Sequence, residues 1–204
     1  MINAIKLNRT FDLPSYSIGG ISTQIGKIVN GVYRGIRYFD IIQDSELLTM
    51  IPPKYREHFH LSWVEINCTI PIHIDAINRT AINIYYKTDN AITNFYRPVT
   101  ENSQYYDQSN VSRTSNTDEA TPWFLKKDVE CLESFCAEVS EGWLLNNQTP
   151  HDVHPIVDNQ AETFFVNDML YRCNIYRTFV QLWSPVCTFD QVKQMLEYTG
   201  YIDK

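Results

Sequence analysis

The sequence predicts a mainly β protein with flanking helical segments, built as a small barrel or sandwich. Three observations carry that expectation. From Leu61 the hydrophobic period is two, a tight turn at Thr88-Asp89-Asn90-Ala91 joins two of the period-two runs, and an amphipathic helix closes the chain. At 204 residues the chain has room for a single domain with one sizeable core, 1–204.

The first 60 residues read as a helical and extended flank. An extended start leads to a turn at Gly19-Gly20, then to a segment with Ile25 and Ile28 at helix-like spacing. Asp44 or Ser45 can cap a short helix that runs to Met50, where Pro52-Pro53 break it before another turn over Lys54–Phe59. LSWVEINCTIPIHID (61–75) and TAINIYYKT (80–88) are β-branched and aromatic runs of strand length. In the second, Ile82, Ile84 and Tyr86 share one face, opposite Asn83 and Tyr85. Residues 100–121 are polar, lack alternation and read as a long surface loop or lid. Strand character returns in 130–157 and in RTFVQLW (177–183), and FDQVKQMLEYTG (189–200) is a helix with Gly200 at its end.

Seventeen basic against twenty-four acidic residues give a charge of −7, so no global positive field holds nucleic acid or an anionic membrane. Five scattered cysteines without a C-x-x-C pair indicate neither a disulfide framework nor a zinc cluster, and Cys68 and Cys131 read as buried thiols within strands. No apolar run is long enough to cross a membrane and no leader pattern opens the chain, so a cytoplasmic location is expected. The Walker, G-x-S-x-G and G-x-G-x-x-G patterns are absent, which removes the usual support for nucleotide hydrolysis and acyl transfer.

Chemistry concentrates at His73-Ile74-Asp75. On a strand, residues i and i+2 face the same side about 7 Å apart, so an imidazole and a carboxylate can converge on one point. His151 and His154 follow a later strand-like run. Two histidines and one carboxylate that leave positions open form the facial triad of non-haem Fe(II) oxygenases. His58 and His60, which flank Phe59, read as surface or supporting residues.

These residues resemble the Fe(II)- and 2-oxoglutarate-dependent dioxygenases, in particular the prolyl 4-hydroxylase-like branch and its small phage-encoded relatives. The branch reads H-x-D, then R-x-x-T-x-L-x-Y, then a turn and G-G-x-T-x-F. The corresponding residues here are His73 and Asp75, then Arg79, Ile82, Ile84 and Tyr86, then Asn90 to Phe95. Ile82 stands in place of Thr, and Asn90-Ala91 in place of the glycine pair. GWLLNNQTPHDV (142–153) is similar to the branch's distal strand and turn, and RTFVQLW to its closing strand.

The resemblance covers residues 60–183 and implies a double-stranded β-helix core of the jelly-roll or cupin kind over 61–183. It implies Fe(II) bound by His73, Asp75 and His151, with His154 as the alternative distal ligand, and O2 and 2-oxoglutarate as cosubstrates. The far carboxylate of 2-oxoglutarate would fall to Arg177, with Arg172 as the alternative because the stretch between His151 and Arg177 exceeds the usual hairpin. Tyr86 would add a hydroxyl donor. The substrate would be a protein side chain, such as prolyl or asparaginyl, or a small molecule. The competing class is a non-catalytic binding or virion-associated module on the same fold, for which the triad would be dispensable.

Overall fold

The computed structural model describes residues 2–13, 16–41, 46–99, 105–107, 122–157, 163–166 and 169–203. The N-terminal flank is mostly strand. β1 (Ala4–Thr10) is followed by a long hairpin of β2 (Ile18–Val29) and β3 (Val32–Ile41), with only two 3-10 turns after it, Glu46–Met50 and Pro53–His58. The helical reading of Ile25 and Ile28 fails because these residues share no buried face: Ile28 is 72% exposed. The turn that decides the segment is Asn30-Gly31, with φ of 50° and 78°, a two-residue connection whose left-handed positions suit Asn and Gly. Gly19-Gly20 lies inside β2, where the pairing with β3 shifts register.

The run expected as one strand over 61–75 breaks into β4 (His60–Ile66) and β5 (Ile70–His73), which belong to different sheets. Asn67 makes the break. Its side chain accepts from the Gly35 N–H at 2.8 Å and donates to the Tyr33 carbonyl at 2.7 Å, standing in for the ladder as the chain leaves β3. The expected hairpin at 88–91 forms between β6 (Thr80–Asp89) and β7 (Ala91–Pro98), with Asn90 at φ 49°. Asn tolerates this conformation as glycine would. Its side chain also binds Val157 and Asn174, which ties the turn to two later segments.

Within the span read as a loop, Tyr105–Asp107 form β8, paired with β9 (Pro122–Phe124); the rest of 100–121 lies outside the described residues. A 3-10 turn, Lys126–Asp128, precedes β10 (Val129–Phe135), and β11 (Glu141–Asn146) and β12 (His151–Pro155) follow. A further hairpin, β13 (Thr163–Val166) and β14 (Met169–Arg172), occupies the long stretch before β15 (Tyr176–Ser184). Helix α1 (Phe189–Thr199) ends the chain as expected. Thr188 and Gln191 form a capping box at its start and Gly200, at φ 79°, terminates it.

The larger sheet has the order β1-β11-β6-β15-β4-β3-β2 and the smaller β10-β7-β12-β5-β9-β8, all antiparallel. One core lies between them, where Val64, Ile66, Tyr85 and Phe179 of the larger sheet pack with Ile70, Phe95, Phe135 and Val153 of the smaller. A second core covers the outer face of the larger sheet. There Ile82, Ile84, Leu144 and Leu182 meet Phe189, Val192, Met195 and Leu196 of α1 together with Met50 and Ile51. Burying each such aliphatic side chain contributes about 1.5–3 kcal/mol.

This second core reverses the expected orientation of β6. Ile82 and Ile84 point outward to the helix, while Asn83 and Tyr85 face the space between the sheets. All five cysteines are free thiols; Cys68 is buried as expected, whereas Cys131 is exposed on β10 at the end of the smaller sheet. No helix among the described residues is long and apolar enough to cross a membrane.

Candidate metal centre

The ends of β5 and β12 lie side by side in the smaller sheet, with His73 and His151 as direct partners. Asp75 follows two residues after His73, so one strand end supplies two of the three donors. One ligand atom from each of His73, Asp75 and His151 lies within 4.8 Å of the others. His73 Nε2 is 3.2 Å from Asp75 Oδ1, His151 Nε2 is 4.0 Å from the same oxygen, and the imidazole centroids are 4.4 Å apart.

The orientation of both rings is set from behind. His73 Nδ1 is 2.8 Å from the Pro71 carbonyl and His151 Nδ1 is 2.9 Å from the Thr149 carbonyl. A carbonyl only accepts, so each Nδ1 carries the proton and each Nε2 points to Asp75, as a lone pair when the ring is neutral and as an N–H donor when it is protonated. Asp75 is braced as well. Its Oδ2 accepts from Asn147 Nδ2 at 2.8 Å, and its backbone N–H donates to the Asn147 carbonyl at 3.2 Å. Trp123 of β9 lies against His73, with centroids 5.1 Å apart, and Phe95 lies 5.7 Å from His151.

Electrostatics differentiates the two imidazoles. Burial lowers the His73 pKa, but its hydrogen bond and charge interaction with Asp75 outweigh that and leave it raised. Burial and the neighbouring His73 push His151 down to about 4, against the pull of Asp75. Asp75 is held below the ordinary carboxylate range: burial opposes this, and His73, His151 and Asn147 prevail. At neutral pH the pair therefore offers a lone pair from His151 and a carboxylate from Asp75. That nitrogen and oxygen donor set suits Fe(II), Zn(II) and similar first-row ions.

His154, the alternative distal ligand, is three residues beyond His151 and so on the other side of β12, outside the cluster. That outer side carries a separate polar group. Asp152 accepts from Asn94 Nδ2 at 2.7 Å and from the Tyr96 hydroxyl at 2.8 Å, and Lys126 donates to the same hydroxyl at 2.9 Å. These bonds hold β12, β7 and the 122–128 segment around the metal ligands.

Arg177 is enclosed between the sheets, 1% exposed. Its Nη1 donates to Thr93 Oγ1 at 2.6 Å and its Nη2 to the Ala91 carbonyl at 3.0 Å, and the guanidinium lies 5.1 Å from the centre of the Tyr85 ring. Its Nε has no hydrogen-bond partner, and no carboxylate pairs with it among the described residues. Burial lowers its pKa without a compensating acid. Arg172, the alternative, belongs to the β13–β14 hairpin, where its backbone exchanges hydrogen bonds with Thr69.

Tyr86 does not join the site. Alternation keeps it on the outer face with Ile82 and Ile84, where its ring meets Trp63 at 4.9 Å and Tyr16 at 6.3 Å. The tyrosine beside the guanidinium is Tyr85. Three contributors went unread in the sequence: Asn147, Thr93 and Tyr85. Asn147 had a signal, standing four residues before the distal histidine in the turn that must reach back to Asp75. Thr93 had one too, at the T of the G-G-x-T-x-F pattern. No family model and no curated protein matches the sequence.

Proposed function

We propose that the protein is an Fe(II)- and 2-oxoglutarate-dependent oxygenase on a jelly-roll core. Eight strands support the fold reading. β11-β6-β15-β4 form the middle of one sheet and β10-β7-β12-β5 one side of the other. Along the chain they alternate between the sheets apart from the pair β7 and β10, as two interlocked Greek keys require.

The observation that carries the function is Arg177. A metal triad alone fits many reactions, but a buried guanidinium with no carboxylate partner among the described residues calls for an anion from outside the chain. Thr93, to which it donates, pairs with Val153, while Phe95 pairs with His151. The basic group is therefore anchored two residues along β7 from the level of the triad, roughly 7 Å. A five-carbon dicarboxylate can bridge that span, with one end at the metal and the other on the bidentate fork of Arg177.

When bound, iron supplies the oxidative step in which substrate C–H, O2 and 2-oxoglutarate become C–OH, succinate and CO2; one oxygen atom enters succinate and the other the product. The chain's own residues do the rest. His73, Asp75 and His151 would hold the ion, Asn147 fixes the carboxylate of Asp75, and Arg177 with Thr93 would orient the diacid. The test is an anaerobic thermal melt. Fe(II) plus 2-oxoglutarate raises the melting temperature of the wild type and not of His73→Ala or Asp75→Ala, and succinate accumulates in air with a substrate-containing lysate. No shift and no retained iron would sink the proposal; a shift without succinate would favour a binding module.

A further inference from the structure

The inner face of the larger sheet is not uniformly apolar. Phe179, Val64 and Tyr85 lie in the core between the sheets, and two residues along each strand, on the same face, stand Gln181, Ser62 and Asn83. These three are direct register partners across β4, β15 and β6, with Gln181 paired to Ser62 on one side and Asn83 on the other. All are buried, at 5%, 8% and 5% exposure for Gln181, Ser62 and Asn83. A sandwich core gains nothing from such a row, since polar groups there cost free energy unless each finds a partner.

The row is only partly self-satisfied. Gln181 Nε2 donates to Asn83 Oδ1 at 3.2 Å, Asn83 Nδ2 donates to the Tyr85 hydroxyl at 3.4 Å, and Trp183 Nε1 donates to Ser62 Oγ at 3.2 Å. Each amide nitrogen carries two hydrogens, so Gln181 and Asn83 each keep one N–H, and their oxygens keep acceptor capacity. One contact links the row to the loop that carries Asp75. Asn78, three residues after Asp75 in the same loop, donates to Gln181 Oε1 at 3.4 Å.

We infer that Gln181 and Asn83, with Ser62 beside them, recognise the substrate of this centre, and that the substrate presents a neutral primary carboxamide. The assignment deepens the oxygenase reading and rests on it. The chemistry selects the class. The row contains no cation, so a carboxylate would be desolvated without compensation. An aliphatic group would leave the remaining N–H groups unpaired, a penalty that discriminates more strongly than a missing methylene does. An amide both donates and accepts in one plane, which matches the two side-chain amides. Arg177, at the other end of β15, is left for the diacid.

The test uses butyramide, butyrate and 1-butanol, which differ only in the head group, against the full chain by saturation-transfer NMR, with and without Co(II). Butyramide is expected to bind and the other two to give no signal. Gln181→Glu, nearly isosteric and foldable, should cut the butyramide signal about tenfold, the scale of one lost hydrogen bond plus an unmet donor; Asn83→Leu should do the same. Equal binding of the three heads, a preference for butanol or butyrate, or butyramide binding untouched in both variants overturns the inference. If the heads are not discriminated while Fe(II) and 2-oxoglutarate still stabilise the protein, the substrate assignment fails and the oxygenase reading stands. If butyramide binds but no metal or diacid stabilisation appears, the reverse holds.

Discussion

His73 and His151 are cross-strand partners whose rings lie 4.4 Å apart, each pinned through Nδ1 to the carbonyl two residues before it. Such a pair keeps two ring nitrogens aimed at one point, with Trp123 of β9 and Phe95 of β7 packed beside the rings, so the smaller sheet itself pre-organises the centre. Removing either ring, or Asp75, is expected to abolish binding of Co(II) in a spectroscopic titration. His154→Ala, on the opposite side of β12, is expected to bind like the wild type. Equal loss in His154→Ala would relocate the site.

Asn147 acts on the metal only through Asp75, by the 2.8 Å bond to Oδ2. Asn147→Ala should leave the fold intact and weaken metal affinity about 10–100-fold, the usual effect of losing a group that orients a ligand. Asn147→Gln, which keeps the amide but displaces it, should fall between. Titration with Co(II) reads both.

Arg177 sets function against stability. Its guanidinium is buried with an unmet Nε and no carboxylate partner among the described residues, and an unsatisfied buried group costs about 1–3 kcal/mol. Without ligand, Arg177→Met should melt at the wild-type temperature or above it, and 2-oxoglutarate should no longer stabilise it. A marked fall in the ligand-free melting temperature, with the response to 2-oxoglutarate retained, would assign Arg177 a structural role instead.

Glu141 gives the fold a pH dependence. Lys6 pairs with it, Trp143 Nε1 donates to it at 3.0 Å and the Glu138 N–H at 3.1 Å. Burial raises its pKa, yet these partners prevail and hold it below the ordinary 4.5. Because the folded value is the lower one, the contribution is complete above about pH 4.5 and is lost as pH falls through the folded value. Glu141→Gln should therefore lower the melting temperature at pH 7, and the gap to wild type should close on acidification. A gap that widens toward low pH would contradict the sign.

Gly142 is a packing constraint. A Cβ there would stand 2.6 Å from Phe11, 2.8 Å from Leu7 and 2.9 Å from Ile84. Gly142→Ala should destabilise by about 1–3 kcal/mol, the scale of an overpacked core. Chemical denaturation, with an unchanged denaturant slope, checks it.

Several features were legible in the chain because they rest on local chemistry. The i, i+2 spacing of His73 and Asp75 puts them on one side of a strand, Asn90 can hold the left-handed turn between β6 and β7, and Thr188, Gln191 and Gly200 bound α1. The Asn30-Gly31 turn was equally local, but the i, i+3 spacing of Ile25 and Ile28 suits a helix, and the strand shows itself only in the pairing of β2 with β3. The break at Asn67 needed a partner more than thirty residues away to show itself.

What the sequence by itself determined was the mainly β character and the convergence of His73 and Asp75; it left the choice between His151 and His154, and between Arg177 and Arg172, to the tertiary structure. Only the tertiary structure decided which face of each strand meets the site. β6 is buried on both faces, so its alternation carries no direction, and the apolar side of Ile82 and Ile84 goes to α1 because a helix offers only apolar surface there. That leaves Asn83 and Tyr85 to the interior, where the Tyr85 ring lies 5.1 Å from the Arg177 guanidinium and Asn83 accepts from Gln181 at 3.2 Å.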